Sequence, residues 1–180
     1  MSDFVDAIGT VLEHEGGLSD HPADPGGLTN MGITLGTFRE YRGPQASSDE
    51  LRHLSRSDAE AIYRDLWWDR YGYGRIGDQR CATKLFDASV NMGATRAHVL
   101  AQQATNALGT ALAVDGILGE HSIDGINACD PERWLYAYAH QLMGFYQDLT
   151  HRKPELAVFR RGWLRRASWP FGEGEIAEVA

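Results

Sequence analysis

The sequence predicts a mainly α-helical protein with one small β-hairpin close to its N-terminal third. Apolar residues recur at helical spacing through most of the 180 residues. Glycine, proline and aspartate interrupt that spacing in the turn-rich residues 18–36. Hydrophobic residues make up 43% of the chain, which is enough for a globular interior. We therefore expect helices around a shared core, with a turn-rich segment between the first helix and the rest.

The first predicted helix is followed directly by the predicted hairpin. Asp3 can cap the helix, and Gly16-Gly17 ends it. Its apolar stripe consists of Phe4, Ile8, Val11 and Leu12. Residues 28–35, LTNMGITL, supply the short strands.

The later helices have start and stop signals of their own. Ser57 and Glu60 form a capping-box pattern before a helix that carries Ile62 and Trp67. Residues 82–92 form a mostly buried helix that Gly93 stops, and Thr95 begins the next helix. The further predicted helices are a short one after VDGILGEHS, a long one that starts at Asp130-Pro131, and a last one over residues 155–166.

Charge and cysteine content exclude some classes of protein. The net charge is −8 with a pI near 5.3, which argues against a nucleic-acid binder. The N-terminus has neither a basic n-region nor an apolar h-region, so we expect a protein made in the cytoplasm without a signal peptide. Cys81 and Cys129 are too few for a disulfide scaffold and are expected to be reduced. The histidines show no zinc-binding spacing, and we expect no metal and no cofactor.

The stretch HEGGLSDHPADPGGLTNMGIT, residues 14–34, places two carboxyl groups in different surroundings. Glu15 ends the first helix near its buried edge, where the helix dipole and burial both favour the neutral acid. Asp24 lies in a polar Pro/Gly turn, where it stays ionised. A pair of carboxyl groups of which one favours the neutral form and the other the ionised form is typical of glycosidases. The same residues also suit an ordinary connecting turn, and both interpretations remain open on this evidence.

The same stretch resembles the signature of glycoside hydrolase family 108, the N-acetylmuramidases found mostly as phage endolysins. It is similar, more distantly, to the phage-lysozyme pattern of Glu, eight residues, Asp or Cys, five residues and Thr. Glu15 and Asp24 match the first spacing, and Thr29 comes one residue early. KLFDASVNMG, LAVDGILGEHSIDGI and FRRGWLRR resemble the predicted peptidoglycan-binding segment that follows this motif. The resemblance covers residues 4–168.

The resemblance implies a lysozyme-like helical fold and hydrolysis of the β-1,4 bond between N-acetylmuramic acid and N-acetylglucosamine in peptidoglycan. Glu15 carries over as the general acid and Asp24 as the second carboxylate, with Asp20 as the alternative. Thr29 would assist with a water molecule. We expect a monomer that acts in the periplasm after release through a holin or another export route.

We divide the chain into a catalytic lobe, residues 1–80, a peptidoglycan-binding lobe, residues 81–172, and a flexible tail, residues 173–180. The expected substrate contacts are Asp20, Asn30, Trp68, Tyr71 and Asn91. Trp68 and Tyr71 belong to the aromatic run LWWDRYGYG, since aromatic rings stack on sugars. Asn91 shares a helix face with Asp87, and the two side chains either satisfy each other or face a cleft.

Two rival functions remain at this stage. A lytic transglycosylase uses one glutamate and adds no water, but the pairing of Asp24 with Thr29 favours hydrolysis. A non-catalytic cell-wall-binding protein on the same fold would not need Glu15 and Asp24. Residues 152–166 carry six basic side chains and one acidic one. They form either a core-packed helix with a basic outer face or an amphipathic helix that contacts an outer membrane.

Overall fold

The computed structural model describes residues 1–19 and 27–171, so Asp20, Asp24 and the tail 173–180 lie outside the described residues. No helix in these ranges is long and apolar enough to cross a membrane. The two strands are β1, Thr29–Asn30, and β2, Ile33–Thr34. The α-helices are α1 (Phe4–Glu15), α2 (Leu35–Arg42), α3 (Ser48–Arg52), α4 (Arg56–Tyr63), α5 (Gln79–Met92), α6 (Ala94–Ala107), α7 (Glu120–Ala128), α8 (Pro131–Arg152) and α9 (Arg160–Ser168). A π-helical segment covers Arg64–Asp69, and 3₁₀ turns cover Tyr73–Arg75 and Pro154–Phe159.

The hairpin is confirmed and lies beside the end of α1. β1 and β2 are antiparallel, with Thr29 opposite Thr34 and Asn30 opposite Ile33. The two turn residues, Met31 and Gly32, have φ of 48° and 76°, as a tight two-residue hairpin turn requires. Thr29 also exchanges two backbone hydrogen bonds of 2.9 Å with Ser19. These bonds tie the hairpin to the chain that leaves α1.

Helix α1 follows the predicted pattern. The Asp3 side chain accepts from the backbone N–H of Val5, and Gly16 ends the helix with φ of 75°. The buried residues of α1 are Phe4, Ala7, Ile8 and Val11. This apolar stripe packs against α5, which also contacts α6 and α8, so α5 is the central helix of the core.

Several predicted boundaries are wrong for local reasons. Ser55, not Ser57, caps α4 by accepting from the Asp58 N–H, and Glu60 pairs with Arg56 instead. α2 and α3 were not predicted, because α2 carries a single buried residue and α3 has only five residues. The last helix begins at Arg160, because residues 154–159 form a 3₁₀ turn.

The two cysteines are free thiols. Cys81 is buried at the start of α5, and its Sγ lies 3.7 Å from the carbonyl oxygen of Pro131. Burial raises the pKa of the Cys81 thiol above its ordinary range, so this thiol stays protonated and unreactive at neutral pH.

A buried lysine connects α5 to the end of α9. Lys84 is 2% exposed. Its Nζ donates to the carbonyl oxygen of Ala167 at 2.6 Å and also to that of Trp169. Burial lowers the pKa of this ammonium to about 7, against the opposing attraction of Asp87. Lys84 therefore holds the C-terminal end of α9 against the central helix.

We expect this lysine to make stability depend on pH between about pH 7 and pH 9. The unfolded chain holds the Lys84 proton up to about pH 10.5, whereas the folded chain releases it near pH 7. Because the unfolded state then binds more protons, this group makes the free energy of unfolding rise with pH, by up to about 1 kcal/mol per pH unit. Denaturant titrations from pH 7 to pH 9 should show a steeper rise for the wild type than for Lys84→Met.

The matched control is Lys153→Met, which removes the other lysine of the chain from an exposed position. Its pH dependence should follow the wild type. Above about pH 9 the buried tyrosines and Cys81, whose pKa values are raised, act in the opposite direction, so the comparison stops there. Parallel pH profiles for the wild type and Lys84→Met would contradict the assignment.

Candidate active site

The Glu15 carboxyl lies beneath the turn of the hairpin. A Cβ atom at Gly32 would come within 2.5 Å of Glu15 Oε2 and 2.6 Å of the Tyr63 hydroxyl. Such distances are too short for real contacts, so a side chain at position 32 would force Glu15, Tyr63 or the turn to shift. Gly32 also has φ of 76°, a left-handed backbone conformation that favours glycine.

Tyr63 fixes the turn from the other side. Its hydroxyl donates a 2.9 Å hydrogen bond to the carbonyl oxygen of Met31. Burial is the main cause that raises the pKa of this hydroxyl far above its ordinary range, and the nearby Glu15 carboxyl is the second. Tyr63 is therefore a permanent donor at neutral pH, and it keeps the hairpin turn close to Glu15.

A guanidinium group from α9 faces Glu15. Arg166 Nη2 lies 2.8 Å from Glu15 Oε1. The same guanidinium holds Asp87 through three hydrogen bonds: Nε to Oδ2 at 2.8 Å, Nη2 to Oδ1 at 2.7 Å and Nη2 to the backbone oxygen at 3.1 Å. His14 adds a hydrogen bond of 3.0 Å from Nδ1 to Asp87 Oδ1. The Arg166 guanidinium thus contacts two carboxyl groups, that of Glu15 on α1 and that of Asp87 on α5.

These groups are largely removed from solvent. The side chains of Arg166, Asp87 and Glu15 are 10%, 5% and 17% exposed. Burial lowers the pKa of the Arg166 guanidinium, but the adjacent Asp87 and Glu15 carboxyls outweigh it and hold that pKa above its ordinary value. Arg166 is therefore charged at every working pH.

The contact between Arg166 and Glu15 is an ion pair by distance and not a well-aligned hydrogen bond. Among the residues that the structure describes, Glu15 Oε1 is buried and accepts no hydrogen bond of acceptable angle. The Nε and Nη2 groups of Arg166 donate to Asp87. Glu15 Oε1 therefore keeps hydrogen-bonding capacity that residues 1–19 and 27–171 do not use.

A cleft of about 390 Å³ opens at Glu15. That volume lies in the range of small-molecule binding sites. On one side it is lined by Glu13, His14, Glu15 and Asn91, and on the other by Val158, Phe159, Gly162, Trp163, Arg165 and Arg166. The cleft thus lies between α1 and α5 on one wall and the C-terminal segment 158–166 on the other. A carboxyl group in this position can exchange a proton with a ligand in the cleft.

The structure brings two of the predicted site residues, Glu15 and Asn91, to this cleft. The Oδ1 atom of Asn91 accepts a 2.6 Å hydrogen bond from the Tyr146 hydroxyl, which orients its amide. Asn91 and Asp87 do not satisfy each other, because Asp87 is held by Arg166 and His14. Thr29 is a half-buried residue of β1, and its predicted role with water stays a prediction.

Three of the predicted substrate contacts, Trp68, Asn30 and Tyr71, do not line this cleft. Trp68 is 5% exposed, and its indole packs among the rings of Phe4, Tyr73 and Phe86 in the core. A sugar cannot stack on a ring that the core already covers.

The side chains of Asn30 and Tyr71 make their contacts outside this cleft. Asn30 is 7% exposed, and its amide donates to the carbonyl oxygens of Leu51 and Arg52, so it serves to anchor the end of α3. Tyr71 packs edge-on against His98 with ring centroids 5.1 Å apart and lines a different cleft.

Sequence reasoning missed Gly32, Tyr63 and Arg166. Two signals were available for one of them, Arg166. A charged residue in a mostly apolar helix, such as Asp87, needs a buried cation as partner. Arg166 follows Trp163 by three positions and so shares its helix face.

The chain is similar to known proteins in sequence and in fold. Residues 8–93 match the model of the glycosyl hydrolase 108 family, and residues 96–168 match the predicted peptidoglycan domain. The solved structure of Brucella abortus SagA superposes with a TM-score of 0.78 at 25% identity, covering 97% of this chain and 94% of that one. A comparison with curated proteins gave no match. The division of the chain at residue 80 stays a prediction. The mainly helical, lysozyme-like fold is confirmed, and the chain is a glycoside hydrolase whose residues 8–93 are similar to glycosyl hydrolase 108 and are followed by a segment similar to the predicted peptidoglycan domain.

Proposed function

We propose that this peptidoglycan hydrolase is an N-acetylmuramidase that cleaves the β-1,4 bond between N-acetylmuramic acid and N-acetylglucosamine, with Glu15 as the general acid. The observation that carries the proposal is the position of the Glu15 carboxyl. It lies at the edge of the cleft, beneath a hairpin turn in which Gly32 leaves room for the carboxyl group. A glycosidase needs a carboxylic acid within reach of the leaving-group oxygen.

The surroundings of Glu15 suit proton transfer to a sugar oxygen. Its side chain is 17% exposed, and the exposed part lines the cleft. A positioned acid of this kind contributes about 10²–10⁴-fold to the rate of a proton-transfer step. Asp24 remains our choice for the second carboxylate, with Asp20 as the alternative, and Thr29 as the residue that assists with water.

The walls of the cleft offer contacts of the kinds that an N-acetylated sugar uses. The Asn91 amide lines the cleft and can hydrogen-bond an N-acetyl group. Phe159 is 51% exposed on the opposite wall and presents an apolar ring to which a sugar face can bind. We therefore propose that one sugar residue lies between Asn91 and the segment 158–163.

Product analysis tests the bond that is cleaved. Purified peptidoglycan sacculi should release soluble muropeptides whose new reducing ends, after borohydride reduction, are muramic acid. Reducing ends at N-acetylglucosamine would contradict the proposal. Products lighter by one water, with an anhydro ring on muramic acid, would identify a lytic transglycosylase instead. Binding to sacculi without soluble products would identify a non-catalytic cell-wall-binding protein.

We also propose that the enzyme is a monomer of endolysin type that reaches the periplasm through a holin or another export route. In this setting the basic stretch 152–166 would contact the outer membrane. Five of its six basic side chains are exposed, while Arg166 points into the active site. Val158 and Phe159 add exposed apolar surface beside them. Co-sedimentation with vesicles of anionic outer-membrane lipids tests this contact.

A further inference from the structure

We infer that Arg166 is a positioning residue for Glu15, so that the segment matching the predicted peptidoglycan domain completes the active site of the hydrolase domain. The inference rests on the proposed role of Glu15 as the general acid. Glu15 belongs to the residues that match the hydrolase family, and Arg166 to those that match the following domain. Their side chains nevertheless meet at 2.8 Å.

Arg166 is held in place by contacts that do not involve Glu15. Three hydrogen bonds to Asp87, two of them to the carboxylate oxygens, set the plane of the guanidinium. Planar arginine–carboxylate pairs of this kind combine strength with directional specificity. His14 holds the Oδ1 atom of Asp87 at 3.0 Å, so the anchoring carboxylate is itself oriented. Arg166 Nη2 then presents a fixed positive charge to Glu15.

Helix α9 is anchored on both sides of Arg166. On its C-terminal side, the buried Lys84 ammonium binds the carbonyl oxygens of Ala167 and Trp169. On its N-terminal side, the Trp163 ring stacks on Tyr146, with centroids 5.2 Å apart and an interplanar angle of 21°. Tyr146 in turn donates to Asn91 on α5. The position of the guanidinium is therefore determined by the central helix of the protein.

The Glu15 side chain is confined between this charge and the hairpin. Gly32 and the Tyr63 hydroxyl border its Oε2 side, and Arg166 borders Oε1. Without the guanidinium, the Oε1 side of the carboxyl group would lose the charged neighbour that lies 2.8 Å away, and the side chain could rotate. A displacement of about 1 Å in a reacting group can lower a rate by about 10²-fold. The two walls therefore hold the acid in one orientation.

Steady-state kinetics on soluble peptidoglycan fragments test the inference with Arg166→Met and Arg166→Lys. We expect Arg166→Met to lower kcat by about 10²-fold, with KM changed by no more than a few-fold. Arg166→Lys should lose less, on the order of 10-fold, because one ammonium cannot hold Asp87 through two nitrogens and also face Glu15. Millimolar guanidinium should restore part of the activity of Arg166→Met, and methylammonium should restore less.

The control Arg133→Met removes an exposed arginine from α8 and should keep wild-type kinetics. Wild-type kcat in a folded Arg166→Met protein would overturn the inference. So would a rise in KM at constant kcat, because Arg166 would then bind substrate instead of orienting Glu15. If Arg166→Met does not fold, Arg166→Lys decides, and an unchanged kcat overturns the inference. Failure of the proposed function looks different, because the wild-type protein itself would then release no muropeptides.

Discussion

We expect Glu15→Gln to cleave peptidoglycan glycan strands about 10³-fold more slowly than the wild-type protein, with the fold retained. Glutamine fills the same space but has no proton to donate to the leaving oxygen. The structure also predicts that stability changes little, because Arg166 keeps its three hydrogen bonds to Asp87 when an amide replaces the Glu15 carboxyl group. Release of soluble muropeptides from sacculi measures the rate, and thermal unfolding measures the stability.

Asp6→Asn is the matched control for this variant. Asp6 is an exposed carboxylate in the first turn of α1, so its loss leaves the cleft unchanged. Its rate should equal that of the wild type. A Glu15→Gln protein that still releases muropeptides at the wild-type rate would rule out Glu15 as the general acid.

The second large effect is expected from Gly32→Ala. The added Cβ would lie 2.5 Å from Glu15 Oε2 and 2.6 Å from the Tyr63 hydroxyl, so the carboxyl group, the tyrosine or the turn must move. We expect a loss of at least about 10²-fold in the rate, because displacement of the acid by about 1 Å is enough for this. Forcing alanine into a left-handed backbone and a crowded site should also lower the free energy of unfolding by roughly 1–3 kcal/mol.

Gly43→Ala separates these two contributions. Gly43 has φ of 106°, but a Cβ there would meet nothing within 4 Å. This variant should lose stability through backbone strain and keep its activity. If Gly32→Ala shows the same pattern, with lower stability and a full rate of muropeptide release, then the close approach of the turn to Glu15 is not needed for catalysis.

The elements around Glu15 could be predicted because their signals are local. Asp3 and Gly16 bound α1, and its apolar stripe places Glu15 near the buried edge. The run LTNMGITL contains Met31-Gly32, whose backbone can form the tight turn of the hairpin. Each of these features depends on residues within a few positions of one another, which is the range over which periodicity and turn chemistry act.

The second wall of the site could not be predicted, because it depends on contacts between distant parts of the chain. Arg166 and Asp87 are 79 positions apart, and no local pattern specifies their pairing. Trp68 is the opposite case, because the sequence suggested a ring available to substrate and tertiary packing buries it. In sequence it stands in an aromatic run suited to sugar binding, but the π-helical segment and its packing against Phe86 turn it into the core. Burial of a given ring is decided by tertiary packing and not by spacing alone.

The anchoring of α9 on Lys84 and Asp87 has a consequence for the engineering of such enzymes. The boundary between the two family models, at residues 93–96, invites the exchange of one module for another. A chimera joined there would replace the guanidinium beside Glu15 and the ligands of the Lys84 ammonium together. Modular exchange should therefore succeed only when the donor segment brings an arginine in register with Arg166 and a helix end that accepts the buried lysine.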